Sequence, residues 1–404
     1  MNICSIVENM ISYVFMNNIE RALKLPEKPE QSFFLWGPRK AGKSTLLHNI
    51  YQGAKFIDLL ETDVYIKYLN EPWQLRKEIE YELEKGALNK KLPIVIDEVQ
   101  RVPLLLDEVH LMIEKHKLCF VLCGSSVRKV KRGRANLLGG RALRYELSGL
   151  SAIELKEDLS LEQILNRGYM PKHYLSKNYK DQIKSYVADY LKEEIAQEAL
   201  VRNISSFSNF LRAVSFSDGE IINLSNIASD CGIAVNTVKA HFEILEDTLL
   251  GSFLQAFRKR PKRRIIQSPK FYFFDVGLVN NLAKRGYIQA GSELFGKAFE
   301  NWVFHELKTY NSYIDTDWDI TYWRLSTGVE VDFVINDMEI AIEVKAKEKI
   351  TNNDLKGLRE LKKEHPKIKR RLIVSLVKNN SLTEDKIEII NYSTFIKRLW
   401  SNSI

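Results

Sequence analysis

Cysteine is scarce in this sequence: Cys4, Cys119, Cys123 and Cys231 are the four in 404 residues. They form no metal-spaced cluster, and Cys119 and Cys123 fall in an apolar stretch where free thiols act as small hydrophobes. This usage points to a reducing, cytoplasmic setting. Long apolar runs are also missing. No uncharged stretch of about 18 residues occurs, so no transmembrane helix and no membrane partner are expected. Residues 1–21 carry Glu8 and Glu20 and lack a basic segment and a small-residue cleavage site, so no signal peptide is expected. There is no internal repeat and no low-complexity tract. What is present is ordinary for a globular chain, 45% apolar and 28% charged residues, at a length that implies two to three domains. The net charge of +8 permits a polyanionic partner. Basic residues concentrate in 128–144 and 258–264, which read as two different sites.

Three patterns follow one another along the chain. Residues 1–150 alternate apolar strands (33–36, 92–96, 119–123) with helical stretches such as 43–51, the signature of a parallel α/β sheet. Residues 151–275 read as helices (152–158, 161–167, 178–198, 204–215), then a short helix 224–230, a turn at Gly232, a helix 235–249 and two strands (250–257, 270–274) around a basic turn. Residues 276–404 carry a helix (292–310), strands 319–325, 329–336 and 339–346, a helix 353–364 and a strand 372–376. The expected class is α/β: a parallel-sheet domain, a helical middle and a second α/β domain.

Gly37-Pro38-Arg39-Lys40-Ala41-Gly42-Lys43-Ser44-Thr45 fits GxxxxGK[ST] between an apolar strand and a helix, where backbone N–H groups cradle phosphates. Lys43 would reach the β and γ phosphates of ATP, and Ser44 would hold Mg²⁺. A second apolar strand ends in Asp97 and Glu98. Asp97 would bind Mg²⁺ through water, and Glu98 would orient or deprotonate the attacking water. A helix cap would also explain that acidic pair, but not the accompanying loop.

GPRKAGKST (37–45), VIDEVQRVP (95–103), LCGSS (122–126) and GGRALRYELSGLS (139–151) are similar in order and spacing to prokaryotic AAA-superfamily P-loop ATPases. These carry a C-terminal domain of unknown function with a restriction-endonuclease-like fold. YFFDVGL (272–278), GKAFENWVFHEL (296–307), VEVDFVI (329–335) and IEVKA (342–346) fit the same resemblance, which covers nearly the whole chain. It implies that Ser125 senses the γ-phosphate, with a turn serine as the alternative. It also implies an arginine finger, Arg141, chosen over Arg128, Arg132, Arg134 and Arg144; a solvated basic loop is the other reading. A finger acting across subunits implies a homo-oligomer, and one acting within the chain does not.

Residues 224–249 read as helix-turn-helix. Leu224, Ile227 and Ala228, then Val235, Val238, Phe242 and Leu245, form a buried stripe. Asn236, Thr237, Lys239 and His241 are expected on the exposed face. With the basic turn 258–264 as a wing, this is either a DNA-binding element or a packing module. In the last segment Glu300 lies on the opening helix, Asp332 on the second strand, and Glu343 and Lys345 on one face of the third. Two carboxylates and a lysine can hold Mg²⁺ and activate water for phosphodiester cleavage. The order of elements resembles the PD-(D/E)xK nuclease core, with Val331 in place of its proline. That resemblance implies Asp332 and Glu343 as metal ligands, Lys345 as the residue orienting the nucleophile and Glu300 as an assistant. A solvated Glu-x-Lys strand face is the bland alternative. Three functions fit: an ATP-driven DNA-binding enzyme with a nuclease domain, a regulatory ATPase switch with an inactive binding module, and a DNA-binding regulator that cuts nothing.

Overall fold

Phe33, Phe34, Leu35 and Trp36 are all buried, without in–out alternation. That is the pattern of a strand covered on both faces of a parallel sheet. The computed structural model describes residues 19–126, 142–156, 159–190, 203–258 and 268–404. It divides into two units, Met1–Leu150 with Ile244–Leu250, and Ser151–Glu243 with Gly251–Ile404.

The first unit runs β1 (Ser32–Trp36), α1 (Lys43–Ile50), β2 (Lys55–Asp58), α2 (Thr62–Asn70), α3 (Trp73–Glu84), β3 (Ile94–Asp97), a 3-10 turn (Val99–Arg101), α4 (Leu105–His116), β4 (Phe120–Gly124) and β5 (Ala142–Glu146). The five strands pair in parallel in the order β2-β3-β4-β1-β5. Phe34, Ile57, Ile79, Ile96, Val109 and Leu122 share one core cluster. The three strands read from the sequence are β1, β3 and β4. β2 and β5 were not read there; β5 is half exposed and lacks an apolar run.

The second unit begins with α5 (Ala152–Leu155), α6 (Leu161–Arg167), α7 (Pro171–Leu175), α8 (Tyr179–Asp189), α9 (Ile204–Phe216), α10 (Leu224–Cys231) and α11 (Val235–Asp247), whose residues from Ile244 on are counted with the first unit. Asn223 caps α10 by accepting from the N–H groups of Ser225 and Asn226, and Gly232 ends it with a left-handed φ of 63°. The hairpin β6 (Gly251–Ala256) and β7 (Lys270–Phe273) follows, and Ile221 bridges Lys270. Phe210, Phe242, Phe253 and Phe271 pack edge-on or tilted in sequence at about 5 Å, joining helices to hairpin.

After α12 (Val276–Leu282) and α13 (Glu293–Ile314) come β8 (Ile320–Arg324), β9 (Glu330–Ile335), β10 (Ile340–Lys345), α14 (Lys356–Glu364), β11 (Arg370–Ser375), β12 (Ser381–Leu382), β13 (Glu388–Asn391) and α15 (Tyr392–Trp400). The hairpin extends this sheet, whose order is β12-β13-β11-β10-β9-β8-β6-β7. β8, β9 and β10 are antiparallel neighbours, and β10 pairs with β11 in parallel. α13 and α14 both lie against β10.

The motif YFFDVGL has a structural cause. Asp275 is 1% exposed, and its carboxylate accepts from the N–H groups of Leu278 (2.9 Å), Tyr169 (2.6 Å) and Met170 (3.1 Å). Gly168 has φ 87°, and a Cβ there would stand 2.1 Å from Asp275 Oδ1. Losing the carboxylate strands buried donors, so Asp275→Ala is expected to lower stability by about 3 kcal/mol, read as a lower Tm or denaturant midpoint.

Candidate functional site

The loop after β1 is shaped by close packing. A Cβ on Gly37 would stand 2.3 Å from Leu147 O, and Lys40 (φ 63°) and Gly42 (φ 95°) are left-handed, turning the chain into α1. Such backbone makes a concave array of N–H donors at a helix N-terminus. Lys43 is 5% exposed, and its Nζ donates to Gly37 O (2.8 Å) and Pro38 O (3.0 Å), so the ammonium lies within the loop. Pro38 and Ala41 are buried, Arg39 is half-buried, and Lys40 and Thr45 are exposed.

Ser44 Oγ donates to Asp97 Oδ2, and Asp97 Oδ1 accepts from Glu98 N at 2.9 Å. Glu98 is left-handed (φ 56°) and buried. Gln100 Nε2 donates to Glu98 Oε2 and to Ser125 Oγ (3.0 Å), and Ser125 Oγ lies 3.4 Å from the same Glu98 oxygen. Lys43, Ser44, Asp97, Glu98 and Ser125, read separately from the sequence, thus converge at the ends of β1, β3 and β4.

Two residues around this loop were not read from the sequence. Gln100 is one; a Cβ on Gly124 would stand 2.5 Å from its Oε1, so the glycine in LCGSS makes room for it. Its only sequence signal is an amide two positions past Glu98 in an apolar setting. Arg21 is the other. Its guanidinium donates to Ala41 O (2.7 Å), Ser148 O (2.8 Å) and Gly149 O (3.2 Å), tying the loop to the segment after β5. No local pattern announces it. Arg141, Arg128, Arg132 and Arg134 lie outside the described residues, and Arg144 is exposed on β5.

In the second unit, Asp332, Glu343, Lys345 and Glu300 also gather. Ile342 pairs with Phe333, which sets Asp332 level with Glu343 across β9 and β10. Asp332 Oδ2 accepts from Val344 N (2.8 Å), and Lys345 Nζ donates to Glu343 Oε1 (2.5 Å), as expected for two residues on one strand face. Glu343 Oε2 is buried with no hydrogen-bond partner. Both carboxyls are pushed above the usual carboxylate range by burial and then by neighbouring negative charge.

The strand pattern gave no hint of Lys270 and Tyr272. Lys270 Nζ donates to Glu300 Oε1 (3.1 Å) and Glu330 Oε1 (3.4 Å) and stands 3.8 Å from Asp332 Oδ1; Tyr272 OH donates to Glu300 Oε1 at 2.6 Å. Burial alone would lower the Lys270 ammonium, but Glu300, Asp332 and Glu330 outweigh it and hold it above its ordinary range. Among the described residues no three His, Cys, Asp or Glu side chains form a metal cage.

The helix-turn-helix reading needs two corrections. His241, expected on the exposed face, is 4% exposed, with its ring against Phe207 and Phe210. Val235, expected in the stripe, is exposed at the start of α11. Asn236 and Lys239 are exposed and Thr237 is half-buried. Arg258 is exposed, and residues 259–264 of the basic turn lie outside the described residues.

Comparison with known proteins assigns the first unit. The profile of an AAA domain matches residues 29–156; two domains of unknown function, DUF8612 and DUF4143, match 158–288 and 295–395. The chain is 23% identical over 310 residues to the uncharacterized proteins Rv2008c of Mycobacterium tuberculosis and Mb2031c of Mycobacterium bovis. The match covers 74% of this chain and 66% of each relative, just under two thirds of their length. Among solved structures, the ADP form of the Aeropyrum pernix ORC2 protein is 10% identical, with a TM-score of 0.34, over 69% of this chain and 93% of that one. A STAND-type signal transduction ATPase with a tetratricopeptide repeat sensor from Pyrococcus horikoshii is 14% identical, with a TM-score of 0.20, over 76% and 47%. The AAA match and the parallel sheet make residues 29–156 a P-loop ATPase domain of AAA type. No described helix is long and apolar enough to cross a membrane.

Burial lowers the His241 pKa, and both ring nitrogens lack hydrogen-bond partners. The neutral ring is therefore favoured by folding. Its contribution is present above the ordinary histidine value of about 6.5 and is lost as pH falls below it. His241→Phe should keep or raise Tm at neutral pH and reduce the loss of Tm on acidification; an unchanged acid slope would contradict this.

Proposed function

We propose that the chain hydrolyses ATP in its first unit and engages nucleic acid, DNA in the first instance, through its second. There Asp332, Glu343 and Lys345 form a Mg²⁺-dependent site that cleaves phosphodiesters. The observation that carries the ATPase half is the meeting of Ser44 with Asp97 beside the Glu98–Gln100–Ser125 hydrogen bonds.

The backbone N–H groups of residues 39–42 wrap around the triphosphate, and Lys43 shifts from its carbonyl partners to the β and γ oxygens. A hydroxyl and a carboxylate in contact are a donor set suited to Mg²⁺, so Ser44 and Asp97 would hold it. Bound there, Mg²⁺ would supply positive charge to the phosphates. Glu98 Oε2 takes the proton of the attacking water. The water oxygen bonds to the γ phosphorus, the bond to the bridging oxygen breaks, and ADP leaves. Gln100 fixes the Glu98 carboxylate, and Ser125 turns its hydroxyl toward the γ-phosphate. Arg141 is the proposed finger, from the same chain or from a second copy in a homo-oligomer.

In the second unit the unpartnered Glu343 Oε2 beside Asp332 suits a cation. Mg²⁺ is commonly held by one or two carboxylates with water, so a full protein cage is not required. A bound Mg²⁺ would supply positive charge for the scissile phosphate, with Lys345 orienting the water and Glu300 assisting. Asn236 and Lys239 on α11 and the basic stretch 258–264 would contact DNA. A second reading, a regulatory switch with an inactive C-terminal module, is favoured by one observation: Lys270 already sits among Glu300, Glu330 and Asp332.

Lys43→Ala is expected to abolish ATP turnover, and Glu98→Gln to lower kcat by about 100-fold while ATP binding persists. Retained turnover in Lys43→Ala would sink the ATPase assignment. Asp332→Ala should remove Mg²⁺-dependent cleavage of single- or double-stranded DNA or RNA and spare ATP turnover. A wild-type protein that cuts none of these in Mg²⁺ or Mn²⁺, with or without ATP, selects the second reading.

A further inference from the structure

The two carboxylates of the nuclease-type reading are not alone. Glu300 from α13, Glu330 and Asp332 from β9 and Glu343 from β10 share the neighbourhood with Lys270, Lys345 and Arg324. Lys270 does not belong to that strand pattern. It enters from β7, the returning strand of the hairpin, where Ile221 bridges it. Its side chain is 3% exposed, and three carboxylates lie within 4 Å of its Nζ: Glu300 at 3.1 Å, Glu330 at 3.4 Å and Asp332 at 3.8 Å. Tyr272, two residues on along β7, holds the shared Glu300 oxygen at 2.6 Å. Several carboxylate oxygens converging on one buried positive charge is how proteins hold a cation.

We propose that Lys270 is a built-in cation occupying the Glu300–Glu330–Asp332 side of the cluster, so that a divalent ion is confined to the Asp332–Glu343 side. This rests on the proposed cation site at Asp332 and Glu343. The cluster is then a one-ion site in which an ammonium takes the place that a second metal holds in two-metal phosphodiester enzymes. The oxygens agree with that division. Asp332 Oδ1 faces Lys270, Asp332 Oδ2 accepts from Val344 N, and Glu343 Oε1 is held by Lys345. Glu343 Oε2, buried and without a partner, is left to receive a ligand. The charges agree in direction: Lys270, Lys345 and Arg324 offset most of the charge that four ionised carboxylates would carry, and removing the Lys270 ammonium makes the cluster more negative. Lys270 is thus a positioning residue that sets how many metal ions the domain takes.

The test is Mn²⁺ binding to the nucleotide-free full chain, counted by calorimetry or by the electron paramagnetic resonance of free Mn²⁺. Lys270→Met should bind one ion more than the wild type, because Glu300, Glu330 and Asp332 lose their counter-charge, and its Tm should rise with Mn²⁺ more steeply than that of the wild type. Lys270→Arg should match the wild type. Equal numbers of ions bound by Lys270→Met and the wild type, both folded by circular dichroism, would overturn the proposal. Should Lys270→Met not fold alone, recovery of its spectrum in Mn²⁺ but not in NaCl of equal ionic strength supports the inference, and no recovery overturns it. Asp332→Asn tests the underlying reading separately. An unchanged number of bound Mn²⁺ ions after this change sinks the Asp332–Glu343 site, whereas the Lys270 inference stands or falls on the difference between Lys270→Met and the wild type.

Discussion

The contact of Ser44 Oγ with Asp97 Oδ2 is the interaction on which the ATPase unit depends. It joins the helix after β1 to the end of β3, two strands that are not neighbours. β4 stands between them, so their ends are separated by two inter-strand spacings, roughly 10 Å. A serine opening α1 and an aspartate closing β3 can span that gap together. The same order sets the end of β4, with Ser125, beside Glu98. A sheet with β1 next to β3 would bring Ser44 and Asp97 together without room for Ser125.

The second unit is governed by the cost of burying carboxylates. Asp218, Asp275, Glu306, Asp332 and Glu343 are all nearly inaccessible. Burial pushes Asp218 up to about 7, Asp275 to about 6 and Glu306 to about 8, each against the hydrogen bonds that hold it. Asp275 and Asp218 answer that cost with backbone and amide donors: Asp218 accepts from Phe273 N and Asn301 Nδ2. The Asp332–Glu343 cluster adds side-chain ammonium groups to a single backbone donor, Val344 N. Buried ammonium counter-charges separate this cluster from the others.

Local features were legible in the sequence. The loop 37–45 was readable because its glycines, lysine and serine answer demands of the adjacent backbone. Strands β9 and β10, with Asp332, Glu343 and Lys345, were readable because strand alternation fixes which residues share a face. Gln100, Arg21 and Lys270 were not, since each acts on partners from other parts of the chain: Gln100 on Ser125, Arg21 on Ala41 and Ser148, and Lys270 on Glu300 and Asp332. His241 was misread for a different reason. Val238, His241, Phe242 and Leu245 follow the i, i+3, i+4, i+7 rule, so the position of His241 faces the core although its side chain is polar. Val235 stands at the first turn of α11, where the stripe has not yet reached the core.

In the proposed mechanism Glu98 works only while Gln100 fixes its carboxylate. Its most direct test is steady-state Mg²⁺-ATP turnover of Gln100→Ala beside wild type, with ATP affinity measured separately. The predicted result is a kcat lower by about tenfold or more, with affinity within about threefold of wild type. An unchanged kcat, or a loss residing wholly in affinity, would contradict it.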